Sequence, residues 1–410
     1  MSTSVDLGAV QRRTVWVLIV AQVLGGLGIG ATLAIGAVLA AEISGSDALS
    51  GAATTMSTLG AAASAIPLAR LARRLGRRPS LTTGALIAAS GSVVTIGAAA
   101  LFSFPLLLVG FALLGAGVAV NLQARFAATD IADQQHRGRD LSLVVWFTTV
   151  GAVLGPNLFA PGEVLGETLG MPPLTGSFLF AAAAQCAAAA VYLVWLRPDP
   201  YVLSRSVASE SGQQSAEGAV RGRGPLVFAI GAIALSHAVM VSVMSMTPVH
   251  LINHGTSLTI IGVTISLHIA GMFALSPLFG WLSDRLGRVT TILLGQGLFA
   301  VALPVVALGE EDPVLVTVGL VLLGLGWSAS TVAGSALVAD LATGAARARI
   351  QGRTDLVMNL TGAAGGAAAG LVLSLIGYAG LAWVAGALVI AVVVGSMVMR
   401  PAAAVRVPAA

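Results

Sequence analysis

Twelve apolar runs long enough to cross a lipid bilayer follow one another along this 410-residue chain. They lie near 14–40, 50–69, 80–102, 105–129, 141–161 and 174–196, then near 225–252, 258–282, 290–309, 313–339, 355–376 and 378–399. A bilayer core takes about 20 helical residues per crossing, and a spanning segment must satisfy its own peptide groups because lipid offers no partners. Runs of this length predict helices, so the chain is expected to be an all-α membrane protein with twelve transmembrane helices. Charged residues make up only 9% of it, against about 25% in soluble domains. Its 50 glycines suit helices packed closely in lipid, where small residues let backbones approach.

The basic residues orient these runs. There is no lysine, so all 21 basic residues are arginine. Arg12 and Arg13 precede the first run, and Arg70, Arg73, Arg74, Arg77 and Arg78 follow the second. Arg125, Arg137 and Arg139 flank the loop after the fourth, and Arg197, Arg205, Arg221 and Arg223 lie in the central segment. Arg285 and Arg288 follow the eighth run, Arg347, Arg349 and Arg353 the tenth, and Arg400 and Arg406 the last. The alternate loops carry only acids: Glu42, Asp47, Glu163, Glu167, Glu310, Glu311 and Asp312. Arginine is retained on the cytoplasmic side, so both termini are expected in the cytoplasm, in a multi-pass protein of the cell membrane. The pI near 10.2 then reflects topology and no nucleic-acid partner. The first apolar run is too long for a signal peptide and lacks an early cleavage site. The single cysteine, Cys186, excludes a disulfide framework and reads as a small buried hydrophobe.

The chain also repeats itself. ARLARRLGRRPSL (69–81) is matched by GWLSDRLGRVTTI (280–292), AATDIA (127–132) by LVADLA (337–342), and RGRDL (137–141) by QGRTDL (351–356). Three landmarks in the same order argue for duplicated six-helix halves, an organisation shared by many transporters. The expected domains are an N-terminal six-helix bundle over 1–196, a cytoplasmic linker over 197–224, a C-terminal six-helix bundle over 225–400 and a cytoplasmic tail over 401–410. The linker is rich in Ser, Gly and charge, a composition of flexible connections.

These residues resemble the major facilitator superfamily. Gly280, Asp284, Arg285, Gly287 and Arg288 reproduce its G-x-x-x-D-R-x-G-R motif between helices 8 and 9. In the N-terminal copy Gly76 and Arg77 are kept, while Ala69 replaces the first glycine and Arg73 the aspartate. Gly151, Gly155 and Pro156 in span 5 resemble the G-x-x-x-G-P core of the motif that the family associates with exporters. The resemblance implies a monomeric secondary active transporter working by alternating access. The span 5 motif implies export, although glycines four apart beside a proline also serve plain helix packing. A cytoplasmic gate is implied as well. Asp284 would bond the N–H groups opening an adjacent helix, while Arg285 and Arg288 pair with Asp340 and Asp355, a cluster that holds in one state and opens in the other.

Polar groups are costly at membrane depth and mark function. In the superfamily, spans 1, 4, 7 and 10 line a central cavity, which implies substrate contacts from Gln22, Asn121, Gln123, His237, Met240, Trp327 and Thr331, with Asn359 of span 11 contributing. Arg125 and Asp130, near the end of span 4, read either as a structural ion pair or as coupling groups. The family's span 4 arginine pattern is absent, with Phe111, Leu114, Gly115 and Gly117 at its positions. No Asp or Glu lies deep in any span, so proton coupling turns to histidine, which titrates near neutrality. At 1.5 Å per residue, His237 lies about 18 Å into span 7 and His268 about 15 Å into span 8, both near the middle of a core about 30 Å thick. The other reading of each is a neutral histidine bonded to a carbonyl or a serine.

The function expected is proton-coupled export of a small amphiphilic organic compound, a drug or metabolite, with protons as coupling ion and the lipid bilayer as surroundings. Two alternatives stay open. One is uptake of a small metabolite, and the other is transition-metal transport along His237, Met240, Met244, Met246, His250 and His254, which are soft ligands. Without lysine no P-loop is possible, so this chain alone is not driven by ATP. No cofactor, resident metal or enzymatic site is expected. Ser236 and His237 are the one adjacent nucleophile and base, and neighbours along a helix point in different directions.

Overall fold

The structure, a computed structural model, describes residues 6–33, 35–132, 137–211, 222–342 and 344–399. The expected tail over 401–410, with Arg400, Arg406 and Arg221, lies outside the described residues. Span 1 is formed by α1 (Leu7–Leu33) and α2 (Ile35–Ser44), and spans 2 to 4 by α3 (Ala52–Leu75), α4 (Arg77–Ala100) and α5 (Phe104–Ala127). Span 5 comprises α6 (Arg137–Leu154) and α7 (Phe159–Thr168), span 6 is α8 (Gly176–Trp195), and α9 (Pro200–Ser211) lies in the linker. Span 7 is α10 (Arg223–Asn253), span 8 is α11 (Leu258–Phe273) with α12 (Ser276–Leu286), and spans 9 and 10 are α13 (Arg288–Leu308) and α14 (Pro313–Leu341). The last two spans are one continuous assignment, α15 (Gly344–Met399), broken at Gly377, whose φ is 75°.

Among the described residues, nine helical segments are long and apolar enough to cross a membrane. One of these covers both sides of the Gly377 break, and α3 and α6–α7 occupy the two less apolar places in the order. The arrangement is consistent with twelve crossings. Large apolar side chains face outward, with Trp16 62%, Val93 62% and Leu375 72% exposed. In water such patches would be sticky, but around a spanning bundle they are the surface that lipid covers.

Three elements interrupt or add to the runs read from the sequence. Span 8 is interrupted between Phe273 and Ser276 because Pro277 lacks an N–H and its ring excludes the carbonyl four residues earlier. In span 5, Gly155–Leu158 forms a 3-10 turn opened by Pro156. The linker carries a helix, α9, that starts at Pro200, a residue whose fixed φ suits a first helical position. Cys186 corrects another expectation: it is exposed on α8, since in a membrane helix an apolar residue need not turn inward.

The chain divides into two compact units, Met1–Gln214 with Pro248–Ile269, and Ser215–Thr247 with Ala270–Ala410. The first is cored by Leu18 and Ile19 of α1, Leu81 of α4, Val120 and Ala124 of α5, Val144 of α6 and Tyr192 of α8. Glycines allow a close crossing of span 1 with span 5. A Cβ at Gly155 would stand 2.6 Å from the Ala31 amide nitrogen, and one at Gly30 2.6 Å from the Ala152 carbonyl. The second unit packs Phe228 and Ala232 of α10 against Ile292 of α13, Ala333 of α14 and Val392 of α15.

Candidate functional site

In the second unit, α10, α14, α11 and α15 build a site around one histidine. The indole Nε1–H of Trp327 donates to His237 Nδ1 at 3.0 Å, and Trp327 is nearly buried at 9% exposure. Phe273, the last residue of α11, meets the same indole edge-on, with centroids 5.6 Å apart and planes at 76°. The opposite edge of the imidazole lies on α15. A Cβ at Gly362 would stand 2.5 Å from His237 Cδ2 and 2.8 Å from Nε2, so that position admits only glycine without a shift. One turn beyond Trp327, the buried Thr331 hydroxyl has no hydrogen-bond partner among the described residues. Met240 is buried one turn along α10, and Asn359 donates to the Asp355 carbonyl at 2.7 Å.

Ser236, next to His237, turns elsewhere. Gln296 of α13 donates from Nε2 to the Ser236 and Ser330 hydroxyls, each at 2.9 Å. The serine and the histidine therefore address different helices and form no dyad. His268, the other central histidine of the sequence reading, is fully buried in α11 and belongs to the first unit.

The first unit holds the remaining polar candidates, two of which fasten helices. Gln22 of α1 donates to the Thr148 hydroxyl at 3.0 Å and the Asn121 carbonyl at 3.5 Å, and accepts from the Tyr192 hydroxyl at 3.1 Å. It is 1% exposed. Gln123 of α5 donates to the Ala65 carbonyl at 3.4 Å, and its Oε1 lies 3.1 Å from the Ser80 hydroxyl. These amides tie α1 to α5, α6 and α8, and α5 to α3 and α4. Asn121 and Arg125 are half-buried. Arg125 donates to the Leu122 carbonyl of its own helix at 3.5 Å.

At the arginine-bearing end of the first unit, the partner of Asp130 is Arg77 and not Arg125, which corrects the pair considered from sequence. Arg77 grips Asp130 with both sets of nitrogens, Nε to Oδ2 at 2.8 Å and Nη2 to Oδ1 at 3.1 Å. Its guanidinium also lies 5.5 Å over the Tyr201 ring. Sequence reasoning missed Asp199. Its Oδ2 accepts the Arg78 N–H at the start of α4 at 2.7 Å, and its Oδ1 accepts the Tyr201 and Val202 N–H groups that open α9. Gly76, with φ 102°, sits where a Cβ would strike this carboxylate. The pair Asp199–Pro200 was a readable cap signal.

At the corresponding end of the second unit, Arg288 donates from Nε to Asp340 at 3.0 Å and from Nη1 to the Ser283 hydroxyl at 3.1 Å, and it also bonds Asp284. The pairing with Asp340 follows the expectation. Arg285, expected to join it, stacks on Trp281 at 4.6 Å, and Asp355 is joined through its carbonyl to Asn359. Asp284 was expected to bond helix-opening N–H groups and instead bonds Arg288. In the first unit Asp199 takes the N–H role. Gly287 has φ 93°, a left-handed turn suited to glycine, while among the described residues nothing stands within 4 Å of a Cβ at Gly280.

The span 5 motif lies at the glycine crossing of α1 and α6, with Gly151 against the Val23 carbonyl. Beyond it, Asn157 donates to the Ser266 hydroxyl at 2.8 Å, and the Pro156 carbonyl stands 2.6 Å from where a Cβ of Gly262 would be. Of the soft-ligand run, His237 Nδ1 is taken by Trp327, and His254 Nδ1 lies 2.8 Å from the His250 carbonyl. Among the described residues no three His, Cys, Asp or Glu side chains are grouped to hold a metal.

Comparison with known proteins gives a consistent result along the chain. The sequence profile of the Major Facilitator Superfamily matches residues 18–267 and 229–409. The uncharacterized MFS-type transporter YdeG of Bacillus subtilis is 38% identical over 392 residues, covering 92% of this chain and 89% of that protein. The riboflavin transporter RfnT of Brucella anthropi is 30% identical over 374 residues, covering 91% and 92%. Among solved structures, the human organic anion transporter MFSD10 aligns at a TM-score of 0.65 with 18% identity over 94% of this chain and 99% of that one. A bacterial homologue of the human lysosomal transporter Spinster aligns at 0.68 with 15% identity over 95% and 96%.

Proposed function

The chain belongs to the Major Facilitator Superfamily and is a multi-pass membrane transporter of a small molecule, and from that premise we propose that it is a proton-coupled exporter of an amphiphilic organic compound. It works as a secondary active antiporter by alternating access, with its arginine-bearing ends and both termini in the cytoplasm. The observation that carries this reading is the His237–Trp327–Phe273 constellation. A titratable group at membrane depth can carry a proton, and the aromatic rings beside it offer a stacking surface for an apolar or heteroaromatic solute. Thr331, Met240 and Asn359 of the same unit are the further substrate contacts, while Gln22 and Gln123 act through the helix joints they form. The name of the riboflavin transporter RfnT puts a planar ring with a polar tail among the first solutes to try. The glycine crossing at Gly151 and Gly155 supports export, since it is where the exporter-type motif sits. The bonds of Arg77 to Asp130 and of Arg288 to Asp340 and Asp284 act as cytoplasmic locks that open and close in the transport cycle.

Thermal unfolding of the purified protein against riboflavin, hydrophobic drugs and, separately, Ni, Co, Zn and Cu ions tests the substrate class. A ligand at a hundred times its dissociation constant stabilises by about 2.7 kcal/mol. Stabilisation by organic compounds, weakened in Trp327→Ala, is expected. Stabilisation by metals alone, lost in His237→Ala, would replace this reading with metal transport.

A further inference from the structure

The bond between Trp327 and His237 has its direction fixed by chemistry. An indole N–H only donates, so His237 Nδ1, 3.0 Å away, presents a lone pair. A neutral imidazole carries one N–H, and while this bond holds that proton sits on Nε2. The Nε2 edge lies against the α15 backbone at Gly362. A second proton therefore enters at Nδ1, and two N–H groups then face each other across a hydrogen-bond distance.

We infer that Trp327 is the positioning residue through which proton occupancy of His237 becomes movement of an aromatic side chain. The inference rests on the proton-coupled reading above. One proton adds at Nδ1, Nε2–H is kept, the ring gains one positive charge and the bond to the indole is lost; release of that proton restores the bond. The imidazole has no room to yield toward α15, where a Cβ at Gly362 would already stand 2.5 Å from Cδ2, so the indole is the group that moves. It moves against Phe273, which ends α11 beside the break before Pro277. The far side of that joint is α12, which carries Asp284 and its bond to Arg288. The proton site and the arginine-bearing lock of this unit are thus linked through one indole and one helix joint.

Among the described residues, no salt bridge and no charged hydrogen-bond partner reaches His237. Its ring packs on the indole of α14 and on α15 at Gly362. On those helices the acids are Asp340, thirteen residues from Trp327 or about 20 Å along the axis, and Asp355, seven residues from Gly362 or about 10 Å. Tyr378 of α15 is bonded to Thr247. On α13, which meets the neighbouring Ser236, Arg288 is eight residues before Gln296. On α11, His268 is five residues before Phe273 and fully buried.

The test needs no ligand. Replacing Trp16, Trp146, Trp195, Trp281 and Trp383 with Phe leaves Trp327 as the single indole of the full-length protein. Its fluorescence should change in a single titration step as the pH falls, because an imidazolium beside it quenches and the lost bond alters its setting. The step should vanish in His237→Gln. Nitrogen-15 spectra of histidine-labelled protein, with the other tryptophans in place, give a second reading that does not depend on the fivefold variant. His237 should be held as the Nε2–H tautomer, and Trp327→Phe, which keeps a ring against Phe273 but removes the donor, should release it to a mixture of both. A flat emission curve, a step that survives His237→Gln, or an unchanged tautomer in Trp327→Phe overturns the inference. Failure of the coupling reading looks different: emission titrates as described while His237→Gln still transports under a pH gradient.

Discussion

At Gly362 one methyl group probes the site. Gly362→Ala places a Cβ 2.5 Å from the His237 ring, so the ring must shift, and overpacking of this kind costs about 1–3 kcal/mol. A lower unfolding temperature together with loss of the Nε2–H tautomer signature is the expected outcome. Gly386→Ala is its control, since the nearest atom to that Cβ is 3.9 Å away, and it should leave the unfolding temperature almost unchanged. The Arg77–Asp130 pair, with each side chain 13% exposed, makes a second case. Hydrogen bonds to charged groups contribute about 1.5–3 kcal/mol, so Asp130→Ala should destabilise by that order and Arg125→Ala by less, both measured by thermal unfolding. Reversal of that order would return Arg125 to the role the sequence suggested. His237, Trp327, Arg77 and Asp130 were all legible as individual residues. Their pairing was not, because which residue of one helix meets which of another depends on helix rotation, and hydropathy along the chain does not encode it.

Among the elements, the helices were legible from apolar length, as was the turn at Gly377 between the last two runs, but the break within span 8 was not. The Phe273–Ser276 break follows from Pro277, whose effect falls on the preceding turn, yet the apolar run passes over it without interruption. α9 looked like plain linker by composition, although Asp199 and Pro200 form a cap and a first helical residue. Asp199 joins α9 to the start of α4, so Asp199→Ala removes an acceptor from three backbone N–H groups at once. Loss of such a cap costs about 0.5–2 kcal/mol. Faster protease cleavage within the linker than in the unsubstituted protein is expected, and equal cleavage would deny α9 its anchor. At the α1–α6 crossing, Gly155→Val puts a branched side chain where even a Cβ meets backbone at 2.6 Å. It should prevent accumulation of folded protein in membranes.

For the whole molecule, the two halves share an arginine–aspartate pair, Arg77 with Asp130 and Arg288 with Asp340, and differ in the second carboxylate beside it. The C-terminal copy keeps its motif aspartate, Asp284, which bonds Arg288. The N-terminal copy has Arg73 at that place and borrows a carboxylate, Asp199, from beyond α8. The duplication was legible because the glycine and arginine spacings survived, whereas the borrowed acid lies outside the repeat. If the locks gate transport, Asp284→Asn should change the transport rate more than the unfolding temperature, and equal rates at equal surface level would refute the gate. The central claim is that protons drive an organic solute through a site governed by His237. Its most direct measurement is pH-gradient-driven movement of the best-stabilising organic compound into proteoliposomes, comparing the unsubstituted protein with His237→Gln at equal reconstituted amounts. The account predicts accumulation that collapses with the gradient in the first and is absent in the second, with counterflow of the compound retained in both. Undiminished gradient-driven accumulation in His237→Gln would contradict it.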